Sequence, residues 1–204
     1  MSPEPATMIN ETADVAATAT IGAGTKVWHL AQVRENAVLG ENCTIGRGAY
    51  IGPGVSLGDN CKVQNHALVY EPATLADGVF IGPAVVLTND EFPRAVNPDG
   101  SPKSADDWTP VGVAIREGAS IGAKSVCIAP VTIGAWSLIG SGSTVVKDVP
   151  DFALMVGSPA RRIGWVGRAG RPLTALGDGL WECPVTGAQY REASSDELVE
   201  VLPD

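Results

Sequence analysis

A six-residue beat runs through most of this chain and leaves few folds open to it. From Val15 onward, Ile21, Val27, Val33, Leu39, Ile45, Ile51, Leu57, Val63, Val69, Leu75, Ile81 and Leu87 keep an aliphatic residue at every sixth position. The register fails at Pro93 and returns as Ile115, Ile121, Cys127, Ile133, Ile139 and Val145. A second column runs four residues behind the first. It is small or β-branched throughout, from Ala19, Thr25 and Ala31 to Ser137, Ser143 and Val149. A period of six matches neither the alternation of a strand nor the turn of a helix. It fits a short strand and a tight corner, repeated around a triangular prism with three hexapeptides per coil. The aliphatic residue then points into the prism and the small one fits inside the corner. Glycine often follows the aliphatic position, as at Gly22, Gly40, Gly46 and Gly52, and is expected to give the bend its backbone freedom. Successive coils stack as parallel strands, each covering the polar edge of the one before.

The break in register divides the chain. Residues 1–14 are expected to form a flexible N-terminus, and residues 15–163 a β-helix domain. Residues 89–110, NDEFPRAVNPDGSPKSADDWTP, leave the prism as an inserted loop. Residues 164–204 form a small C-terminal appendage, with a hairpin expected around WECPVTGAQYRE. Loops of this length inside compact domains are usually functional or disordered.

Composition narrows the function. Aromatic residues make up only 5% of the chain, in keeping with a narrow core of small and β-branched residues. A net charge of −9 cannot neutralise a phosphate backbone, so no nucleic-acid partner is expected. The N-terminus has no basic start followed by an apolar run, and no apolar stretch is long enough for a membrane. A cytoplasmic protein is the expectation, with no membrane partner. Cys43, Cys61, Cys127 and Cys183 lack metal-ligand spacing, so reduced thiols are expected and no metal. Cys43 and Cys61 stand one coil apart and should stack at one corner.

The hexapeptide columns and the segment TIGAWSLIGSGSTVVKDVPDFALMVGSPARRIGW resemble the hexapeptide-repeat acyltransferase superfamily, all-β proteins built as left-handed parallel β-helices. The left hand is what the resemblance implies, as an exception to the usual right-handed crossover. VWHLAQVRENAVLGENCTIG, KVQNHALVYE and VLTNDEFPRA resemble a narrower group, the N-acetyltransferases of nucleotide-linked 3-amino sugars. That group includes the UDP-2-acetamido-3-amino-2,3-dideoxyglucuronate N-acetyltransferase type and relatives acting on dTDP-linked sugars. The resemblance implies acetyl-CoA as co-substrate and a homotrimer, with both substrates entering grooves between prisms. It also implies a place in polysaccharide biosynthesis or a related glycosylation route.

Coil arithmetic places a candidate site. Glu35, Pro53, Glu71 and Asn89 form one corner column, which sets Glu71 beneath Asn89 at the mouth of the loop. A carboxylate and an amide stacked there suit an incoming amine, so Asn89 is expected to orient it and Glu71 to act as electrostatic partner or weak base. His29, Arg47, Asn65 and Pro83 form a neighbouring outward column. His29, Asn65, His66, Tyr70 and Arg94 are the candidate substrate contacts, with Arg94 suited to a diphosphate or a carboxylate. His66 is also where a general base would sit in many hexapeptide acyltransferases, although the resembling sugar enzymes often carry asparagine there. Lys147, Arg161 and Arg162 are the cations expected to meet the phosphates of coenzyme A, and Pro159 and Ala160 match the family's chain reversal. Zinc chemistry of the γ-carbonic anhydrase kind needs three histidines per site, and this chain has only His29 and His66. Two alternatives stay open: an O-acetyltransferase of a sugar hydroxyl and a non-catalytic solenoid that binds a partner.

Overall fold

The computed structural model describes residues 6–201 and shows the prism. Two-residue strands such as Lys26–Val27, Gln32–Val33 and Val38–Leu39 follow one another around three faces. Each pairs in parallel with the strand one coil on, as in Lys62↔Phe80, Leu68↔Val86 and Val38↔Ser56. The faces are parallel sheets of nine, seven and six strands, the largest closed by one antiparallel strand at its end. In most of the two-residue strands the second residue turns inward. Val27, Ile45, Val63, Ile81, Ile121 and Ile139 form one buried column, and the small residues Ala31, Ala49, Ala67 and Val85 form another. Cys43 and Cys61 lie buried at the corner between the third and first faces, each donating Sγ–H to a carbonyl across the corner, Gly58 and Ala76. Burial alone pushes the Cys127 thiol up to about 12. These thiols behave as small hydrophobes.

The solenoid starts earlier than expected. Residues 1–14 were expected to be loose, yet Met8–Ile9 pairs with Lys26–Val27 and Asp14–Val15 with Gln32–Val33. The first residues of the chain lie outside those described. Ile9 lies on the same beat, six residues before Val15, so the beat extends one step further back than expected.

Glycine has a different task from the one expected. The left-handed conformation falls three residues after most aliphatic stops, at Gly24, Asn36, Asn42, Gly48, Gly54 and Asn60, and even at Leu30 and His66. None of the glycines directly after a stop has a positive φ. They are needed because the next coil crosses so close: a Cβ on Gly122 would stand 2.5 Å from the backbone nitrogen of Ser141. Gly142, by contrast, has φ +73° and open space around it. Gly122→Ala should therefore push two coils apart and cost roughly 1–3 kcal/mol. Gly142→Ala should cost only about 1 kcal/mol, the penalty of a left-handed alanine. Chemical denaturation of both variants checks the order, and equal losses would contradict it.

The inserted loop leaves after Val86–Leu87 and returns at Val113–Ile115, with Val111 N–H donating to the Asn89 carbonyl at its neck. It holds one short 3-10 turn, Ala105–Asp107, capped reciprocally by Ser104 and Asp107. After the last coil, Ala153–Gly157 reverses into Ala160–Trp165. The appendage is an antiparallel sheet of four strands within residues 174–201, including the hairpin of Leu180–Glu182 with Gln189–Ser194. It is fastened to the prism by several contacts. The Trp165 indole N–H donates to Glu192, the Arg168 guanidinium pairs with Glu200, and Phe152 packs edge-on against Tyr190. No helix among the described residues is long and apolar enough to cross a membrane.

Candidate active site

Several polar side chains at the corners form ladders of one kind: each accepts the N–H of the residue that follows a glycine in the coil before it. Asn65 Oδ1 takes the Arg47 N–H at 2.9 Å, Asp59 takes Glu41 at 2.7 Å, Asp77 takes Asp59 at 2.8 Å and Asp151 takes Ala135 at 2.8 Å. Glu71 folds over Gly52 in the same way. The next residue there is Pro53, which has no N–H to give. Glu71 Oε2 is accordingly the one buried side-chain oxygen or nitrogen among the described residues without a hydrogen-bond partner.

Val69 pairs with Leu87, so Asn89 follows the strand one coil after that of Glu71, whereas the Glu71 carboxylate folds toward the coil before. Tyr50 and Tyr70 lie beside the same corner with ring centroids 5.2 Å apart. Burial first, and the negative Glu71 after it, raises the Tyr50 phenol above its ordinary value. A carboxylate oxygen without a hydrogen-bond partner among the described residues, one coil from the neck of the inserted loop, can hold an ammonium or take a proton from an amine.

The other candidates fall into three further places. His29, Asn65 and His66 stand together on the corner between the first and second faces. A cavity of about 250 Å³ there is lined by Trp28, His29, Arg47, Gln64 and Asn65 among others. Asn10 fixes the His29 ring: its Oδ1 accepts from Thr12, so its amide nitrogen is left to donate to His29 Nε2 at 3.1 Å. That assigns the proton of a neutral His29 to Nδ1. His66 is exposed, its ring over Gly48, and no hydrogen-bond partner of its side chain is present among the described residues. Arg94 lies in the inserted loop, beside a cavity of about 440 Å³ shared with Asp90, Lys103 and Trp108. Lys147, Arg161 and Arg162 do converge, on a cavity of about 380 Å³ near the end of the prism. Ala160 lines that cavity too, while Pro159 sits in the exposed reversal between the two last strands.

One chain thus gathers the candidates at two corners, in the loop and at the C-terminal end, not in one cleft. Several residues of these places were not singled out from the sequence. Trp28 is 40% exposed, and an outward tryptophan beside histidine was visible in VWHL. Arg47 forms no ion pair among the described residues. Asp196 could not have been found by periodicity. It comes from the appendage and stands 3.6 Å from Arg162, whose guanidinium also donates to the Ser195 carbonyl and lies 4.0 Å from the centre of the Trp165 ring.

Residues 18–55 and 36–70 match the model of the family described as bacterial transferase hexapeptide (six repeats). The match to this repeat extends over residues 18–70 of the 204. Among curated proteins, the dTDP-3-amino-3,6-dideoxy-alpha-D-galactopyranose 3-N-acetyltransferase of Aneurinibacillus thermoaerophilus is 50% identical over 52 residues, which are 26% of this chain and 27% of the relative. The bifunctional protein GlmU of Nitratidesulfovibrio vulgaris is 60% identical over 42 residues, 21% of this chain and 9% of the relative. The hexapeptide stretch therefore spans about a quarter of the first relative and less than a tenth of the second. Among solved structures, AntD, an N-acyltransferase from Bacillus cereus in complex with dTDP and coenzyme A, aligns with TM-score 0.54 at 17% identity. That alignment covers 79% of this chain and 81% of AntD. The acetyltransferase domain of PglB from Neisseria gonorrhoeae, in complex with acetyl coenzyme A, aligns with TM-score 0.52 at 22% identity over 79% and 60% of the two chains. The repeat, the three parallel sheets and these likenesses establish the fold as a left-handed parallel β-helix.

Proposed function

We propose that this chain is an acetyl-CoA-dependent N-acetyltransferase that acts on the 3-amino group of a UDP- or dTDP-linked sugar and works as a homotrimer. The observation that carries the reading is the orphaned Glu71 oxygen, one coil from the loop neck that holds Asn89, on a solenoid with the transferase hexapeptide repeat. The relative from Aneurinibacillus, a 3-N-acetyltransferase by name, and the coenzyme A bound to AntD support the same chemistry.

In this reading Asn89 orients the amine, and Glu71 holds the arriving ammonium and passes its extra proton to solvent, which leaves a neutral nitrogen with a lone pair. The nitrogen attacks the thioester carbonyl carbon, a C–N bond forms, the C–S bond breaks, and the proton lost from nitrogen ends on the departing sulfur. Alignment of the two reactants supplies much of the rate, and Glu71 can carry the proton on its way. A backbone N–H of a corner serves the oxyanion. Trp28, His29, Arg47 and Asn65 take the nucleotide side, Arg94 an anionic group on the diphosphate or sugar, and Lys147, Arg161 and Arg162 the phosphates of coenzyme A. The dispersed sites meet when neighbouring prisms lie side by side, and the exposed Leu30, Val38 and Val146 give such a neighbour apolar surface to cover.

Thiol release from acetyl-CoA, with matched 3-amino and 3-hydroxy nucleotide sugars as acceptors, tests the reading. Turnover confined to the amine, retained in His66→Ala, is the expected result. Turnover of the hydroxyl that His66→Ala abolishes would establish an O-acetyltransferase instead, because a hydroxyl acceptor needs a true base.

A further inference from the structure

Pro53 stands out once the corners are compared. Four polar side chains that fold back over a glycine find the N–H of the following residue, and Asn65, Asp59, Asp77 and Asp151 are each satisfied by it. Glu71 alone meets a residue that has no N–H. Pro53 is partly buried and lies between Gly52 and Gly54 in the corner directly before that of Glu71. A carboxylate that accepts a backbone N–H is held in place and loses part of its affinity for any other donor. The ladder would thus have quenched Glu71 as it quenches the four others.

We infer that Pro53 is a positioning residue, which keeps Glu71 Oε2 free for the substrate amine by withholding the hydrogen bond that four other corners supply. The inference rests on the reading of Glu71 given above and extends it to a residue that need not touch substrate. It also accounts for a cost the fold carries. Leaving a buried acceptor unmade costs stability, and the protein keeps that cost at the one corner where a free carboxylate is useful.

The test is a double-mutant cycle on kcat with Pro53→Ala, Glu71→Gln and the combined variant. Pro53→Ala restores an amide at residue 53 and is expected to lower kcat about tenfold or more, with KM for acetyl-CoA unchanged. In the Glu71→Gln background the same substitution should have no effect on kcat. Thermal melting of Pro53→Ala should hold or rise, since the new bond to a charged acceptor outweighs the added freedom of the unfolded chain. Pro53→Ser, which supplies the same amide, should repeat the loss and guards against a local defect of one variant. A kcat unchanged in both variants would overturn the inference, as would an equal loss with and without Glu71. If Glu71→Gln itself keeps full kcat, the fault lies with the role of Glu71; if only the Pro53 variants keep it, the role of Pro53 alone falls.

Discussion

Glu71→Gln is expected to lower kcat for N-acetylation about 100-fold, near the lower end of what a positioned acid or base contributes, while the protein melts at the same or a slightly higher temperature. The two halves of the prediction have one cause. Glu71 Oε2 is buried with no protein donor, and a charge in that condition weakens the folded state. Replacing it by a neutral amide of the same shape relieves part of that penalty, on the order of 1 kcal/mol. The same change removes the negative partner of the amine. KM for acetyl-CoA should not move, because the cations proposed to meet its phosphates, Lys147, Arg161 and Arg162, lie near the end of the prism. Steady-state kinetics with a calorimetric scan checks both halves. Full activity, or a large loss of stability, would show that Glu71 is only a structural rung.

Ile81→Ala is the second large effect, this time on folding. Ile81 is 0% exposed and sits in the inner column between Val63 and Ile121, with which its strand pairs on either side. A prism this narrow, held by backbone ladders on every face, has little means of collapsing into the space left by three carbons. The loss should therefore be about 2–5 kcal/mol. For a chain of this size that lowers the melting temperature on the order of 10 °C. Lys62→Ala removes a side chain from an exposed, outward position in the strand paired with that of Ile81, and should change stability by no more than about 0.5 kcal/mol. Similar losses in the two variants would contradict the assignment of inner and outer columns.

The fold was legible because its rule is local and repeated. An inward aliphatic residue every six positions, followed by a small one, is all that a coil requires, and Val27 or Ile139 reports it as clearly in the sequence as in the structure. The glycine column was legible too, but not its cause. A close crossing such as that of Gly122 with Ser141 is an event between coils, invisible until they are stacked. The start of the solenoid was legible one step further back than expected, since Ile9 lies on the beat.

The site was legible in part. Coil arithmetic alone put Glu71 one step from Asn89, because that relation is again a register. The consequence of Pro53 needed the direction in which the Glu71 side chain folds, which no spacing gives. Asp196 reaches Arg162 through the docking of a separate sheet, so no repeat could point to it. His29, Asn65 and His66 share a corner through the register that the sequence displays, whereas Arg94 is placed by a loop that follows no register at all.

The most direct test of the central claim is to find where the acetyl group goes. The protein is incubated with acetyl-CoA labelled in its acetyl group and a UDP- or dTDP-linked 3-amino sugar, and the product is read by mass spectrometry and NMR. The account predicts one labelled acetyl group per sugar, in an amide at the 3-nitrogen. Label found as a sugar ester, or recovered only as free acetate, would contradict it.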